Sequence, residues 1–284
     1  MPEIKKTHKP IIRNLILYIL LPLVLGTIMS AFVPQPIIGI IEVRDPIFDA
    51  TGKQLVEQVQ YAQENNRIKA VVLVIDCPGG TVNDTELVFL ELVKLTKKKP
   101  VVSMVQGLSA SGAYYLSMAA DEIISNPSAM IGNVGVIAGL PDTPYIEEDM
   151  YSTGPYKLWG SSRDAYIRQI EGMKNAFLRA VEFGRGDRLT IPLTEVSRGA
   201  MYPASEAVEL GMIDEIGAQS DAIELAAKKA LIAHYKIIDL KSAVSQEKIE
   251  AGSFFATDEK GKSTGYPSNP GFYYLFVPDF GGDL

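Results

Sequence analysis

Three stretches of this chain have residue types and spacing suited to acyl-transfer chemistry. The first is Gly107-Leu-Ser-Ala-Ser-Gly-Ala-Tyr-Tyr115, which reads as the end of a strand, a tight turn and the start of a helix with a serine at the bend. Ser111 at a helix N-terminus would sit among free backbone N–H groups, where an alkoxide or a tetrahedral oxyanion is stabilised. The competing reading is that Ser109 or Ser111 is an ordinary N-cap. The second is Asp76-Cys-Pro-Gly-Gly80, where Gly79 and Gly80 can turn their N–H groups toward a ligand, as an oxyanion hole requires. A plain Gly-Gly turn feeding a helix would look the same. The third is Ala129–Gly139, a glycine-punctuated apolar segment that suits either a strand approached by a peptide or a common sheet strand.

These stretches need a frame, and the flanking sequence supplies one. Ile37–Val43, Ala70–Ile75 and Val101–Val105 are strand-like apolar runs, the second too uniformly apolar to face water on either side. Gly52–Asn65 and Asp84–Lys97 have apolar residues at helical spacing, Ala113–Ala120 is small and helix-permissive, and Arg163–Phe183 carries an amphipathic stripe. Strands alternating with helices predict an α/β layered fold with right-handed crossovers, its active loops beyond the strands' carboxyl ends. Ala204–Leu210 and Ser220–Leu231 are further helices, and Tyr235–Leu240 is a late strand beside His234, which reads as structural.

Composition removes several chemistries. With 284 residues, 47% of them hydrophobic, the chain can bury one large core or two modest ones. A net charge of −7, with no basic cluster beyond the first thirteen residues and Lys97–Lys99, argues against a nucleic-acid partner. Cys77 is the single cysteine and His8 and His234 the two histidines, too few for an internal disulfide or an ordinary zinc site. No metal or cofactor is implied.

From Asn14 to Ile41 there is no charged residue, and Leu15–Val33 is long and apolar enough to cross a hydrocarbon core of roughly 30 Å. Lys5, Lys6, Lys9 and Arg13 precede it, so the positive-inside rule keeps the N-terminus cytoplasmic and the body outside. A cleaved signal peptide is the alternative, with Met29 and Ala31 forming a poor cleavage site. The expected organisation is a basic tail at 1–13, an anchor at 14–35, a body at 36–240, and a polar linker with an aromatic tail at 241–284.

Val71-Val-Leu-Val-Ile-Asp-Cys-Pro-Gly-Gly80, Lys99-Pro-Val-Val102, Ser109-Ala-Ser-Gly-Ala-Tyr-Tyr115, Ala119-Ala-Asp-Glu-Ile123, Ile131-Gly-Asn-Val-Gly-Val136, Gly154-Pro-Tyr-Lys157 and Gly211-Met-Ile-Asp-Glu-Ile-Gly217 follow one another along the chain. In content and order they resemble the signal peptide peptidase A family of membrane-anchored Ser/Lys peptidases. The resemblance implies the Clp protease/crotonase-like fold of repeated ββα layers, with Ser111 as nucleophile, Lys157 as general base and the amides of Gly80 and Gly112 as oxyanion donors. Gly79, Gly132, Asn133, Val134 and Gly135 are then candidate groove residues. It further implies a homo-oligomeric ring or dome, with sites shared between protomers, acting on hydrophobic peptides such as signal-peptide remnants. The sequence departs from the family pattern at Ala113, at Asn133 and at Cys77, a buried inert thiol or a reactive one. The Val136–Lys157 connection, with Pro141, Asp142, Pro144, Glu147, Glu148 and Asp149, is shorter than the family's, which leaves Lys174 as an alternative base.

A lysine acts as a base only when neutral, so a pocket must bring it from about 10.4 toward neutrality. Tyr156, Leu158 and Trp159 flank Lys157 with apolar surface. Tyr266, Phe272, Tyr273, Tyr274, Phe276 and Phe280 crowd the C-terminal end, which is either an unstructured tail or a segment docked in the substrate groove or on a neighbouring subunit. Two other functions remain open on this fold: a membrane-tethered scaffold without chemistry, and acyl-CoA chemistry at the same paired amides.

Overall fold

A computed structural model describes residues 16–32, 34–139, 153–154, 156–157, 160, 162–244, 254–257, 263–268 and 271–277. The 1–13 tail, Leu15, the acidic connection from Pro141 to Asp149, Leu158, Trp159 and Phe280 lie outside them.

The described residues begin with a π-helical turn at Ile16–Leu20 running into α1 (Leu21–Phe32). Twelve residues at 1.5 Å each reach only about 18 Å, and among the described residues no helix is long and apolar enough to cross a membrane. Then come β1 (Ile37–Val43), α2 (Asp49–Glu64), β2 (Ile68–Cys77), β3 (Gly79–Thr81), α3 (Val82–Thr96), β4 (Val101–Ala110), α4 (Gly112–Ser117), β5 (Glu122–Ser125), β6 (Met130–Gly132) and β7 (Ile137–Gly139). After the omitted connection follow α5 (Arg163–Arg185), α6 (Leu193–Val196), β8 (Met201–Pro203), α7 (Ala204–Glu209), β9 (Glu215–Ile216), α8 (Gln219–Lys229), β10 (Lys236–Asp239) and α9 (Leu240–Val244). Three strands end the described chain: β11 (Phe255–Thr257), β12 (Ser263–Pro267) and β13 (Gly271–Leu275).

The main sheet runs β10-β1-β2-β4-β5-β9, parallel throughout, with β6 joining the far end of β4 and β8 antiparallel to β6. The uniformly apolar β2 is explained by cover on both faces. Val71, Leu73 and Ile75 pack with Leu55 and Val59 of α2 and Val88, Leu92 and Leu95 of α3. Ala70, Val72 and Val74 pack on the other side with Ala222, Ala226 and Ala227 of α8. The result is a mixed α/β fold on a parallel sheet, as the strand and helix periodicities predict.

β4 departs from the expected boundaries in a way that matters. It does not stop near Gln106 but continues to Ala110, pairing with β5 along Val102–Val105 and with β6 along Leu108–Ala110. A polar clasp holds the two strand ends together: the Leu108 N–H donates to Asp76 Oδ1 at 3.0 Å. The serine is thereby delivered by a long central strand.

Candidate active site

Ser111 follows β4 directly, at φ 53° and ψ −119°. This conformation is strained for a residue with a Cβ, and it is over-determined by its surroundings. The Ser111 N–H donates to Gly132 O at 2.8 Å, and its own carbonyl accepts from Tyr115 N at 2.9 Å. The Ser111 side chain makes no capping hydrogen bond, so the N-cap reading does not describe it. Ser109 does have a structural role: its buried Oγ lies 3.3 Å from Ser117 Oγ. The helix that follows is only six residues long, so an anion placed here would meet individual amides rather than a long macrodipole.

The two candidate oxyanion glycines converge. A Cβ built on Gly112 would stand 3.2 Å from the Gly80 nitrogen, and one built on Gly79, itself at φ +102°, would stand 2.7 Å from the Gly112 nitrogen. Such close approach is open to glycine alone. The neighbouring Cys77 is buried, and burial pushes its thiol up to about 12, which leaves it protonated and inert near neutrality.

What faces these amides is the chain's own C-terminal strand. β13 lies antiparallel between β3 and β7, with Tyr273, Tyr274 and Leu275 opposite Thr81, Gly80 and Gly79, and Gly271 to Tyr273 opposite Gly139 to Ile137. The Phe276 N–H donates to Pro78 O at 2.8 Å. By the alternation of antiparallel ladders, Tyr274 and Gly80 are then the next pair that exchanges both hydrogen bonds. The Tyr274 carbonyl oxygen also comes within 3.0 Å of a Cβ built on Gly112, so the oxygen sits against both glycine turns, one residue past Ser111.

The Tyr274 side chain fills an aromatic pocket under α4. Its ring stacks on Tyr115 with centroids 5.2 Å apart and meets Phe177 edge-on at 5.0 Å. Its single hydroxyl hydrogen is shared between Met173 O at 2.8 Å and, more weakly, Glu86 Oε1 at 3.3 Å. Burial, with the Glu86 charge added, pushes the Tyr115 phenol up to about 12 and raises Tyr274 further still. Both phenols stay neutral under any ordinary condition. Behind the pocket, Tyr114 OH donates to Met212 O at 2.8 Å, fixing α4 to the turn before β9. There the buried Arg185 makes paired bonds to Asp214 at 2.9 and 2.8 Å and a third to Gly211 O at 2.7 Å.

The other expected groove residues have different placements. Gly132 orients the serine through its carbonyl, the Asn133 amide donates to Gly199 O at 3.0 Å, Val134 is in the core, and Gly135 is half-buried. The strand beside β13 on this side is Ile137–Gly139, a little further along. Lys157 is exposed, its N–H donating to Gly154 O at 3.1 Å, and no hydrogen bond joins it to Ser111. Lys174 is engaged with Glu171 at 2.6 Å. His234 is exposed just before the edge strand β10. Met173 belongs to the apolar stripe read on Arg163–Phe183, whereas Glu86 went unnoticed in the sequence; its place on the helix that follows Gly79-Gly80 was the available signal.

Comparison with known proteins bears on the same residues. Residues 93–233 match the model of peptidase family S49, and residues 28–132 match that of Clp protease. The chain is 29% identical over 192 residues to a putative protease of Methanocaldococcus jannaschii, covering 62% of this chain and 61% of that protein. It is 28% identical over 204 residues to the chloroplastic serine protease SPPA of Arabidopsis thaliana, covering 66% of this chain and 30% of that one. A putative signal peptide peptidase SppA of Enterococcus faecium is 26% identical over 200 residues, 65% of this chain and 58% of that one. The chain thus spans from about a third to about three-fifths of these relatives' lengths. With Ser111 on a strained turn, two neighbouring glycine turns and these matches laid over β4 and its neighbours, residues 93–233 are a serine peptidase region of the S49 type, and the chain is similar to the signal peptide peptidase A family.

Proposed function

We propose that this chain is a membrane-bound serine endopeptidase with Ser111 as nucleophile and Lys157 as general base, degrading hydrophobic peptides such as signal-peptide remnants through an acyl-enzyme. One observation carries the reading: an extended peptide, β13, runs through the groove with a carbonyl against the amides of Gly80 and Gly112. A substrate following that course would present its scissile carbonyl to Ser111 in the same way.

In the proposed reaction Ser111 Oγ attacks the carbonyl carbon and its proton passes to Lys157 Nζ. The oxyanion is held by the N–H groups of Gly80 and Gly112 until the C–N bond breaks and Lys157 returns the proton to the departing amine. Water then adds to the Ser111 ester and gives a proton to Lys157. The ester C–O bond breaks, the proton goes back to Ser111 Oγ, and the new carboxylic acid leaves.

Lys157 must be neutral for this, yet a single protomer leaves it in water. The homo-oligomer supplies the missing cover in this proposal, the site being completed by a neighbouring subunit. Exposed Leu87 and Leu90 on α3 and Phe183 on α5 form an apolar face suited to such a contact. The membrane anchor is proposed for 14–35, with the N-terminus cytoplasmic and the body extracytoplasmic. Its support is the uncharged stretch from Asn14 to Ile41 and the exposed leucines at 17, 20, 21, 23 and 25.

The test is a fluorophosphonate probe on the full chain in detergent, beside Ser111→Ala and Lys157→Ala variants of matched oligomer size. Label on the parent and on neither variant is expected. Label surviving Lys157→Ala moves the base to Lys174 or elsewhere, and no label on a folded parent favours the scaffold alternative.

A further inference from the structure

The residue whose carbonyl meets the oxyanion amides is the one whose side chain a peptidase reads most closely, and in β13 that residue is Tyr274. The walls of its pocket are aromatic: Tyr115 lies flat against the ring and Phe177 meets it edge-on. Among the described residues, the Tyr274 hydroxyl meets two acceptors at the end of the pocket, the Glu86 carboxylate and the Met173 carbonyl. Arg179 is the cation whose charge is felt there. Flat walls favour a planar ring, and acceptors at its far edge favour a ring that carries a donor.

We infer that this pocket selects tyrosine at the residue preceding the cleaved bond, with Glu86 as its specificity-determining residue. A phenylalanine fills the same walls but leaves the Glu86 and Met173 acceptors without the phenol donor they share. Leucine loses the ring contacts as well. The Glu86 bond is the longer of the two, at 3.3 Å against 2.8 Å to Met173, so a preference of about tenfold is expected rather than the thousands seen at fully enclosed hydroxyl sites.

For substrates the inference rests on the peptidase reading above, whereas the pocket can be tested without catalysis. The first measurement is amide hydrogen exchange of residues 271–276 in the full chain, comparing the parent, Tyr274→Phe, Glu86→Leu and the double variant. Release of β13 exposes these amides, so their exchange reads how well the pocket holds its occupant. Tyr274→Phe should speed exchange about tenfold in the parent and less than twofold on the Glu86→Leu background. Equal effects on both backgrounds overturn the role of Glu86.

The second measurement is hydrolysis of Ala-Ala-X-aminomethylcoumarin peptides, X being Tyr, Phe, Leu or Lys, by the full chain carrying Tyr274→Ala. Tyrosine should lead phenylalanine about tenfold in kcat/KM. The ratio should fall toward one in Glu86→Leu and be retained in Glu86→Gln, which keeps an acceptor. Cleavage with no tyrosine preference, or with lysine ahead, overturns the inference and leaves the peptidase reading standing. Coupled exchange with no cleavage of any peptide does the reverse.

Discussion

The two limbs of the proposed dyad are built in opposite ways. Ser111 follows directly on the central strand of a parallel sheet, is 1% exposed, and has both backbone groups bonded at fixed distances. Lys157 sits in a turn, its N–H bonded to Gly154 O and its side chain exposed. The nucleophile's geometry is thus a property of the folded protomer, bought with local backbone strain. The base's environment is conditional, because nothing within the described protomer removes it from water. On the proposed function, a site divided this way would stay inert until a neighbouring subunit covers the lysine.

The strongest way to sharpen the contrast is to replace both side chains and read activity and stability together. Ser111→Ala and Lys157→Ala should each lower peptide hydrolysis by about a thousandfold. Ser111→Gly should lose the same activity but unfold at higher temperature, since glycine accepts φ 53° without strain, a gain of about 1 kcal/mol. A serine variant series with no such gain would mean that the turn is not strained.

Lys157→Ala, by contrast, should change stability by less than about 0.5 kcal/mol, as exposed substitutions do. Denaturant midpoints measured on dissociated protein would check this. A loss above 1 kcal/mol would show that the lysine is already buried in one chain, and the contrast between the limbs would collapse.

The frame behind the serine offers an intermediate effect. Burial works to raise the Asp214 carboxyl, but Arg185, the Ile123 N–H and Arg188 together hold it below the usual carboxylate range. A carboxyl held low contributes stability that is present above its unfolded value, near 4, and is lost as pH falls through the folded value. Asp214→Ala also strands the buried Arg185 guanidinium, so a loss of about 3 kcal/mol is expected at neutral pH. That loss should shrink in thermal melts taken toward pH 3. An undiminished loss at low pH would assign the effect to packing.

The sequence was informative where short-range physics decided the outcome. The doubly covered strand at Val71–Ile75 and the amphipathic α5 were legible from periodicity, and the serine bend from its glycine and small residues. The length of β4 was not, because Gln106 and Gly107 look like a strand end until Asp76 is seen to clasp Leu108. Short strands such as β5, β8 and β9 left no pattern, being held by neighbours far along the chain. The groove was expected at Gly79 and Gly132–Gly135, within a peptide-approached segment Ala129–Gly139. Gly79 and Ile137–Gly139 pair with β13, while the Gly132 carbonyl accepts from the Ser111 N–H. Tertiary pairing of this kind carries no local signature.

The aromatic tail gives the smallest and most discriminating test. If the serine limb is complete without it, β13 is only an occupant, and deleting residues 264–284 should raise both probe labelling and peptide hydrolysis. A strand tethered to its own groove competes at an effective concentration near millimolar, so release should speed turnover of dilute peptide by about tenfold. If β13 is instead a structural third strand, the same deletion removes the buried Tyr274 from the cluster of Tyr115 and Phe177. Labelling would then fall together with the melting temperature. A full-length Tyr274→Ala chain separates the two, because it empties the pocket while leaving the β13 backbone to pair. Faster labelling in that variant with an unchanged melting temperature would mean that the groove, like the serine, is prebuilt, and that only the lysine side of the site waits for a partner.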